Sequence, residues 1–203
     1  MKSRLHSPHT FILASTSAGR HQQLTDAGLA CKIVPPMVDE DQVKDLLGPL
    51  PPRDLALNLA REKGLSVSTE HPETITIAGD QVCECEGDIL HKPLTNDRAT
   101  TQLRQLSGRT HYLHSAGAIL RGDEVLWSGV TTTAVRLRKL REQEIDAYVL
   151  LEDVRFSCGS YRIEGLGRHL IERIDGDAFA IAGLPITEML AALYHLNILR
   201  IGS

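Results

Sequence analysis

The sequence predicts an α/β fold built on one elongated, mixed β-sheet flanked by helices. Three observations carry this. Short apolar runs near the N-terminus, Phe11–Ala14 and Cys31–Val34, are separated by a helical pattern, so strand and helix alternate along the chain. Two long β-branched runs, Tyr112–Leu120 and Val125–Leu137, flank the turn Arg121-Gly122-Asp123, as in an antiparallel hairpin. A helical segment then follows the hairpin, so the sheet cannot be purely parallel.

The first strand, Phe11–Ala14, stops at Ser15-Thr16-Ser17 and passes through Ala18-Gly19 to Arg20. Small hydroxyl residues at a strand-to-helix junction leave first-turn N–H groups free, which suits a phosphate, and a guanidinium one turn in can close on the same anion. Ser and Thr are also ordinary helix caps, so this segment alone leaves both readings open. The helix is expected over Ser17–Ala27, ending at Gly28, a residue suited to the left-handed cap. After the strand Cys31–Val34 and Pro35-Pro36, the segment Val38-Asp39-Glu40-Asp41 reads as a carboxylate-rich loop at a strand end, where sites gather in α/β folds.

Prolines between 49 and 52 precede a second helix, Arg53–Ser68, with Leu55, Ala56, Leu59 and Ala60 as its apolar stripe. Lys63 falls on the same inward side, either as a lysine snorkelling from the stripe's edge or as a ligand group. Thr74–Ala78 is a strand that delivers Gly79-Asp80-Gln81 and resumes as Val82–Cys85. Aspartate is depleted in strands, and burying its charge is costly unless it is paired or metal-bound, so Asp80 demands a reason. Glu86-Gly87-Asp88 turns the chain, and Ile89–Pro93 brings Lys92 back in a hairpin. Helices are expected over Thr95–Ser107, with Gly108 after its end, and over Arg141–Val149. The last third holds a loop over Ser157–Gly167, with glycines at 159, 165 and 167, then Ala182-Gly183-Leu184-Pro185 opening a C-terminal helix.

With 203 residues the chain suits one large domain or two lobes sharing a sheet; no linker divides it, and residues 1–9 are expected to be a flexible extension. The 22 Lys and Arg against 26 Asp and Glu give a net charge of -4, which argues against binding a nucleic-acid polymer. A small anion held by local cations fits. No apolar stretch is long enough for a membrane span. Four cysteines without metal-ligand spacing, and no signal peptide, point to reduced thiols in the cytoplasm. Cys83 and Cys85 share one face of their strand as packing residues, whereas His111 and His114 point to opposite faces and make no metal pair.

Hydroxyls with Arg20, Glu40, Lys63, Asp80 and Lys92 together supply cations for phosphates and carboxylates for a divalent metal, the equipment of phosphoanhydride chemistry. In this order the segments resemble the Maf family of nucleoside triphosphate pyrophosphatases, from Phe11 to the C-terminal helix. The matching words are LASTSAGR at 13–20, VDE at 38–40, LAREKG at 59–64, GDQV at 79–82, GDILHKP at 87–93, LSG at 106–108, the stretch 144–148 and GLP at 183–185.

The resemblance implies a Maf/ITPase-like fold of two lobes with a central cleft. It implies hydrolysis between the α and β phosphates of a nucleotide to a monophosphate and pyrophosphate, keeping modified or non-canonical nucleotides out of nucleic acids. By position, Asp80 corresponds to the catalytic acid or base, and Ser17, Arg20, Glu40, Lys63 and Lys92 to other polar cleft residues; Ser15 joins them in binding phosphate. An ordinary Asp, pKa ~3.9, is a poor base for bulk water, so Asp80 and Glu40 are expected to share Mg2+ or Mn2+ that acidifies the nucleophile.

Phe156-Ser157 stands where a thymidine- and uridine-triphosphate branch has Asp-Lys, and Glu164 replaces its glutamine. With Gln81 after Asp80, this is similar to the 7-methyl-GTP pyrophosphatase branch, and a carboxylate at Glu164 suits donors on a guanine edge. The family favours proline near Ala18 and Gly19, with tryptophan next in the methyl-GTP branch; Gly19 offers no ring to stack on a cationic base. Gly19, Gln81 and Glu164 are therefore the expected specificity residues. The expected partner is a nucleoside triphosphate, with a homodimer left open. The rival function is a nucleotide-binding regulator of cell division without turnover.

Overall fold

The computed structural model describes residues 5–7 and 9–201. Residues 1–4 and 8, part of the expected N-terminal extension, lie outside the described residues, but Leu5–His6 (β1) forms a strand. The chain then runs through Phe11–Ala14 (β2), Ala18–Asp26 (α1) and Cys31–Ile33 (β3). Two helices follow, Glu40–Leu47 (α2) and Pro52–Ser68 (α3). Next come Ile75–Cys85 (β4), Asp88–Leu90 (β5) and Asn96–Leu106 (α4). The long hairpin is Thr110–Arg121 (β6) and Glu124–Leu137 (β7), followed by Glu142–Leu151 (α5). Ile171–Asp175 (β8), Ile186–His195 (α6) and Arg200–Ile201 (β9) complete the fold, and β9 pairs with β1.

Seven strands form one mixed sheet in the order β3-β2-β4-β6-β7-β8, with β5 also on β4. Strand β2 runs parallel to β3 and β4, while β4, β6, β7 and β8 are mutually antiparallel neighbours. One sheet face is covered by α3, whose Leu55, Ala56, Leu59 and Ala60 pack on Val82, Ala116 and Val130. Full burial of one such leucine contributes about 1.5–3 kcal/mol. Gly64 sets how close this helix lies, because a Cβ there would meet Leu120 Cδ1 at 2.3 Å. On the other face α1 and α6 share a core with Ile75, Ile77 and Ile119. Further along that face α4 and α5 pack on Cys83, Cys85, Leu113 and Val135. None of the helices in the described residues is long and apolar enough to cross a membrane.

One expectation needs correction. The carboxylate-rich segment is not a loop: Asp39 caps α2 by accepting from the amides of Asp41 and Gln42, so Glu40 opens a helix. Carboxylates in a first turn complement the helix dipole. Beyond the expected loop the chain adds an element that the sequence did not announce, because Ile171–Asp175 pairs with β7 as an edge strand, Val135 opposite Ile174.

Candidate active site

Strand β4 is paired with β6 along nearly its whole length, but its other edge changes partner. Parallel β2 covers that edge up to Ala78, and β5 covers it from Cys83 to Cys85. Among the described residues, the edge of 79–82 has no strand beside it, and the fork opens into a cleft of about 890 Å3. Asp80 sits in that fork. It is 7% exposed, on the sheet face covered by α3.

Lys63 arrives on the inward stripe of α3 and is itself 8% exposed. Its Nζ lies 2.5 Å from Asp80 Oδ1 and 2.7 Å from Glu40 Oε1, so one ammonium joins two carboxylates from three separate elements. Lysine burial is thus compensated by charge, which the snorkelling alternative would not require. For Glu40, burial works to raise its carboxyl, but the hydrogen bond and charge of Lys63, with Lys92 and Lys44, outweigh it and hold the group below its usual range.

The cradle at the start of α1 is assembled around Arg20. Ser17 caps the helix by accepting from the Arg20 amide at 3.4 Å, and Ser15 Oγ accepts from the Ser17 amide at 3.2 Å. The Arg20 guanidinium donates to Ser15 Oγ at 3.1 Å and to the Gly183 carbonyl at 3.0 Å. Among the described residues two of its five N–H donors are used, leaving an end that lines the cleft. Ala18 and Gly19, whose first-turn amides have no intrahelical acceptor, line it too. Gly183 adopts φ +118° and its absent side chain keeps clear of Arg20, since a Cβ would lie 3.2 Å from Nε. Lys92, exposed after β5, reaches the cleft from beyond the β5 end of the fork.

Gln81 and Glu164 occupy different settings. The Gln81 side chain donates to Ser115 Oγ at 2.8 Å and to the Ile181 carbonyl at 3.0 Å, bracing the helical turn Phe179–Ala182. Glu164 Oε1 lies 2.6 Å from where a Cβ on residue 19 would sit, so its carboxylate fills the space that Gly19 leaves. Sequence reasoning missed Lys44, which lines the cleft from the unrecognised α2, and Cys158, whose Sγ donates to the Gln81 carbonyl at 3.5 Å. Asp39 followed by Glu40 and Asp41 was the available signal for that helix. Burial and the charge of Asp80 push the Cys158 thiol up, against Lys92, Arg20 and Lys63, and all five residues line the cleft.

The Maf-like protein family model matches residues 10–196, nearly every element described above. The chain belongs to the Maf family. It is 38% identical over 196 residues to a nucleoside triphosphate pyrophosphatase of Nitrobacter hamburgensis, covering 96% of this chain and 97% of that one. It is 40% identical over 192 residues to a 7-methyl-GTP pyrophosphatase of Bartonella quintana, covering 94% and 97%. A nucleoside triphosphate pyrophosphatase of Legionella pneumophila (strain Philadelphia 1) is 35% identical, with 94% and 95% covered. The family words LASTSAGR, LAREKG and GDQV are thus the α1 cradle, the Lys63 turn of α3 and the fork in β4.

Proposed function

We propose that this chain is a nucleoside triphosphate pyrophosphatase that cuts the anhydride between the α and β phosphates, releasing a monophosphate and pyrophosphate. The observation that carries this reading is the convergence of Asp80, Glu40 and Lys63 in a fork of the sheet that also receives Arg20 and Lys92. Phosphoryl chemistry depends on positioning and charge neutralisation, and this cleft offers both.

Arg20, Ser15, Ser17 and the first-turn amides of α1 bind and orient phosphate oxygens, and Lys92 offsets charge on the departing pyrophosphate from the β5 end of the fork. Asp80 orients the attacking water and takes its proton. Lys63 holds both carboxylates in register. Among the described residues no group of three or more His, Cys, Asp or Glu gathers as a metal cage. Magnesium, however, is commonly held by one or two carboxylates together with substrate phosphates, so Glu40 and Asp80 fit such an ion. When bound, it supplies a Lewis acid that lowers the pKa of water.

The finer reading is a modified or non-canonical base, 7-methyl-GTP among them. Supporting it are the Glu164 carboxylate, which lines the cleft beside Gly19 and is an acceptor for guanine N–H donors, and the name of the Bartonella relative. Such an enzyme would keep these nucleotides out of nucleic acids. The test is purified protein with a panel of triphosphates and Mg2+ or Mn2+, with products resolved by chromatography. Monophosphate plus pyrophosphate is expected. Orthophosphate plus diphosphate would overturn the cleavage position, and binding without turnover would identify a nucleotide-binding regulator instead.

A further inference from the structure

Lys92 stands in an irregular stretch, between the end of β5 at Leu90 and the start of α4 at Asn96, where neither a ladder nor a helix fixes the backbone. The residue is exposed, so where its ammonium stands depends on how firmly the main chain is held. Its charge nonetheless reaches Glu40, whose carboxyl it helps to hold low. Something must keep this turn in place.

Two contacts bracket it. Gln102 of α4 donates from Nε2 to the carbonyl of His91, the residue before Lys92, at 2.6 Å, and the Leu94 amide donates to the Arg155 carbonyl at 2.9 Å. An amide carries an acceptor as well as donors, and Gln102 Oε1 accepts from Ser160 Oγ at 2.5 Å. Ser160 is fully buried within the segment 157–162, from which Ser157, Cys158, Tyr161 and Arg162 line the cleft. One side chain thus joins the Lys92 turn to a wall of the cleft, and that wall reaches β4 through the Cys158 Sγ bond to the Gln81 carbonyl, one residue from Asp80. The post is firm, because Ala99, Leu103 and Leu106 anchor α4 in the core with Cys83, Cys85 and Leu113. Leu94 and Ser160 adopt φ of +63° and +58°. Residues with side chains keep such conformations only where their surroundings impose them.

We infer that Gln102 is a positioning residue for the anhydride cleavage: by holding the His91 carbonyl it fixes where the Lys92 ammonium meets the departing pyrophosphate. The inference rests on the function given above and names the residue that places one of its charges. Gln102 does not line the cleft, so it acts through Lys92. Charge stabilisation depends on a preorganised distance, and a misplacement of about 1 Å can cost up to about 100-fold in rate.

The test is a double-mutant cycle on kcat for a triphosphate that the wild type hydrolyses with Mg2+. Gln102→Met keeps a good helix former at a partly exposed site and removes both bonds. It is expected to lower kcat about tenfold with Lys92 present, and by less than about twofold in the Lys92→Met background. A purely structural brace would cost the same factor in both backgrounds, so equal losses overturn the inference, as does wild-type turnover in Gln102→Met. Should Gln102→Met fail to fold, Gln102→Ala, with the strongest helix former, carries the same cycle. If Lys92→Met leaves no measurable rate, or if no triphosphate is cleaved and the pyrophosphatase reading fails separately, calorimetric titration with inorganic pyrophosphate and Mg2+ decides. Binding weakened by Gln102→Met only while Lys92 is present supports the inference; binding unchanged, or weakened equally in both backgrounds, overturns it.

Discussion

Two buried titratable side chains on adjacent strands, Asp80 on β4 and His111 on β6, are accommodated in opposite ways. Asp80 is 7% exposed and keeps a countercharge, Lys63, on the open side of the fork. His111 is 0% exposed, faces the core shared with α4 and α5, and has one partner, Tyr161 Oη at 2.9 Å from its Nε2. Among the described residues its Nδ1 has no partner, and burial pushes the imidazole down to about 4. Burial with a countercharge beside a cavity preserves a charge for chemistry; burial without one removes the charge and leaves a packing group.

The contrast breaks first at Asp80. Asp80→Asn keeps the shape and removes the proton acceptor, so kcat should fall by about 100-fold or more while the unfolding midpoint stays near wild type. Unchanged turnover would place the chemistry elsewhere.

The next effect belongs to His111 and is read as stability against pH. Its folded value is about 4 against 6.5 for the free side chain, so between these limits the unfolded chain binds more protons. The contribution is full above 6.5 and is lost as pH falls toward 4, roughly 3 kcal/mol over the whole window. Glu40 has the acid-side sign also, but its stabilisation is present above 4.5 and lost only as pH falls through its lower folded value. Urea denaturation at steps between pH 7.5 and 4.5 measures the first with little of the second. A flat profile there would remove His111 from the comparison.

Lys63→Met should destabilise by about 2 kcal/mol, because two carboxylates lose their shared donor, and should also lower kcat. A loss of activity alone, with the melting temperature unchanged, would mean water replaces the ammonium at no cost. The smallest effect is Tyr161→Phe, about 1 kcal/mol for one buried hydrogen bond, measured by the same denaturation.

The strands and helices that pack on the sheet were legible in the sequence because their burial writes a period into it. Helix α3 has its stripe from Leu55 onward, and β4 keeps its β-branched and small residues on both sides of Asp80. Helix α2 was not legible in this way, since it buries no residue and leaves Leu46 80% exposed. Strand β8 was hidden because only Ile171 and Ile174 are partly covered, packed at the margin of the core shared with α4 and α5, while the other three residues of the strand are exposed. Lys63 could be placed on the inward side of its helix, but what it meets was beyond local pattern, because its partners lie at positions 40 and 80. Gln81 shows the same limit: adjacency to Asp80 in sequence put its amide on the opposite sheet face, against Ser115.

The fork in β4 places Asp80 where the sheet is deliberately incomplete: residues 79–82 keep one ladder, to β6, and forgo the other. Lengthening β2 by a few residues would zip that edge shut, adding interstrand bonds while erasing the workplace. Selection for sturdiness and selection for turnover thus pull this short stretch of backbone in contrary directions.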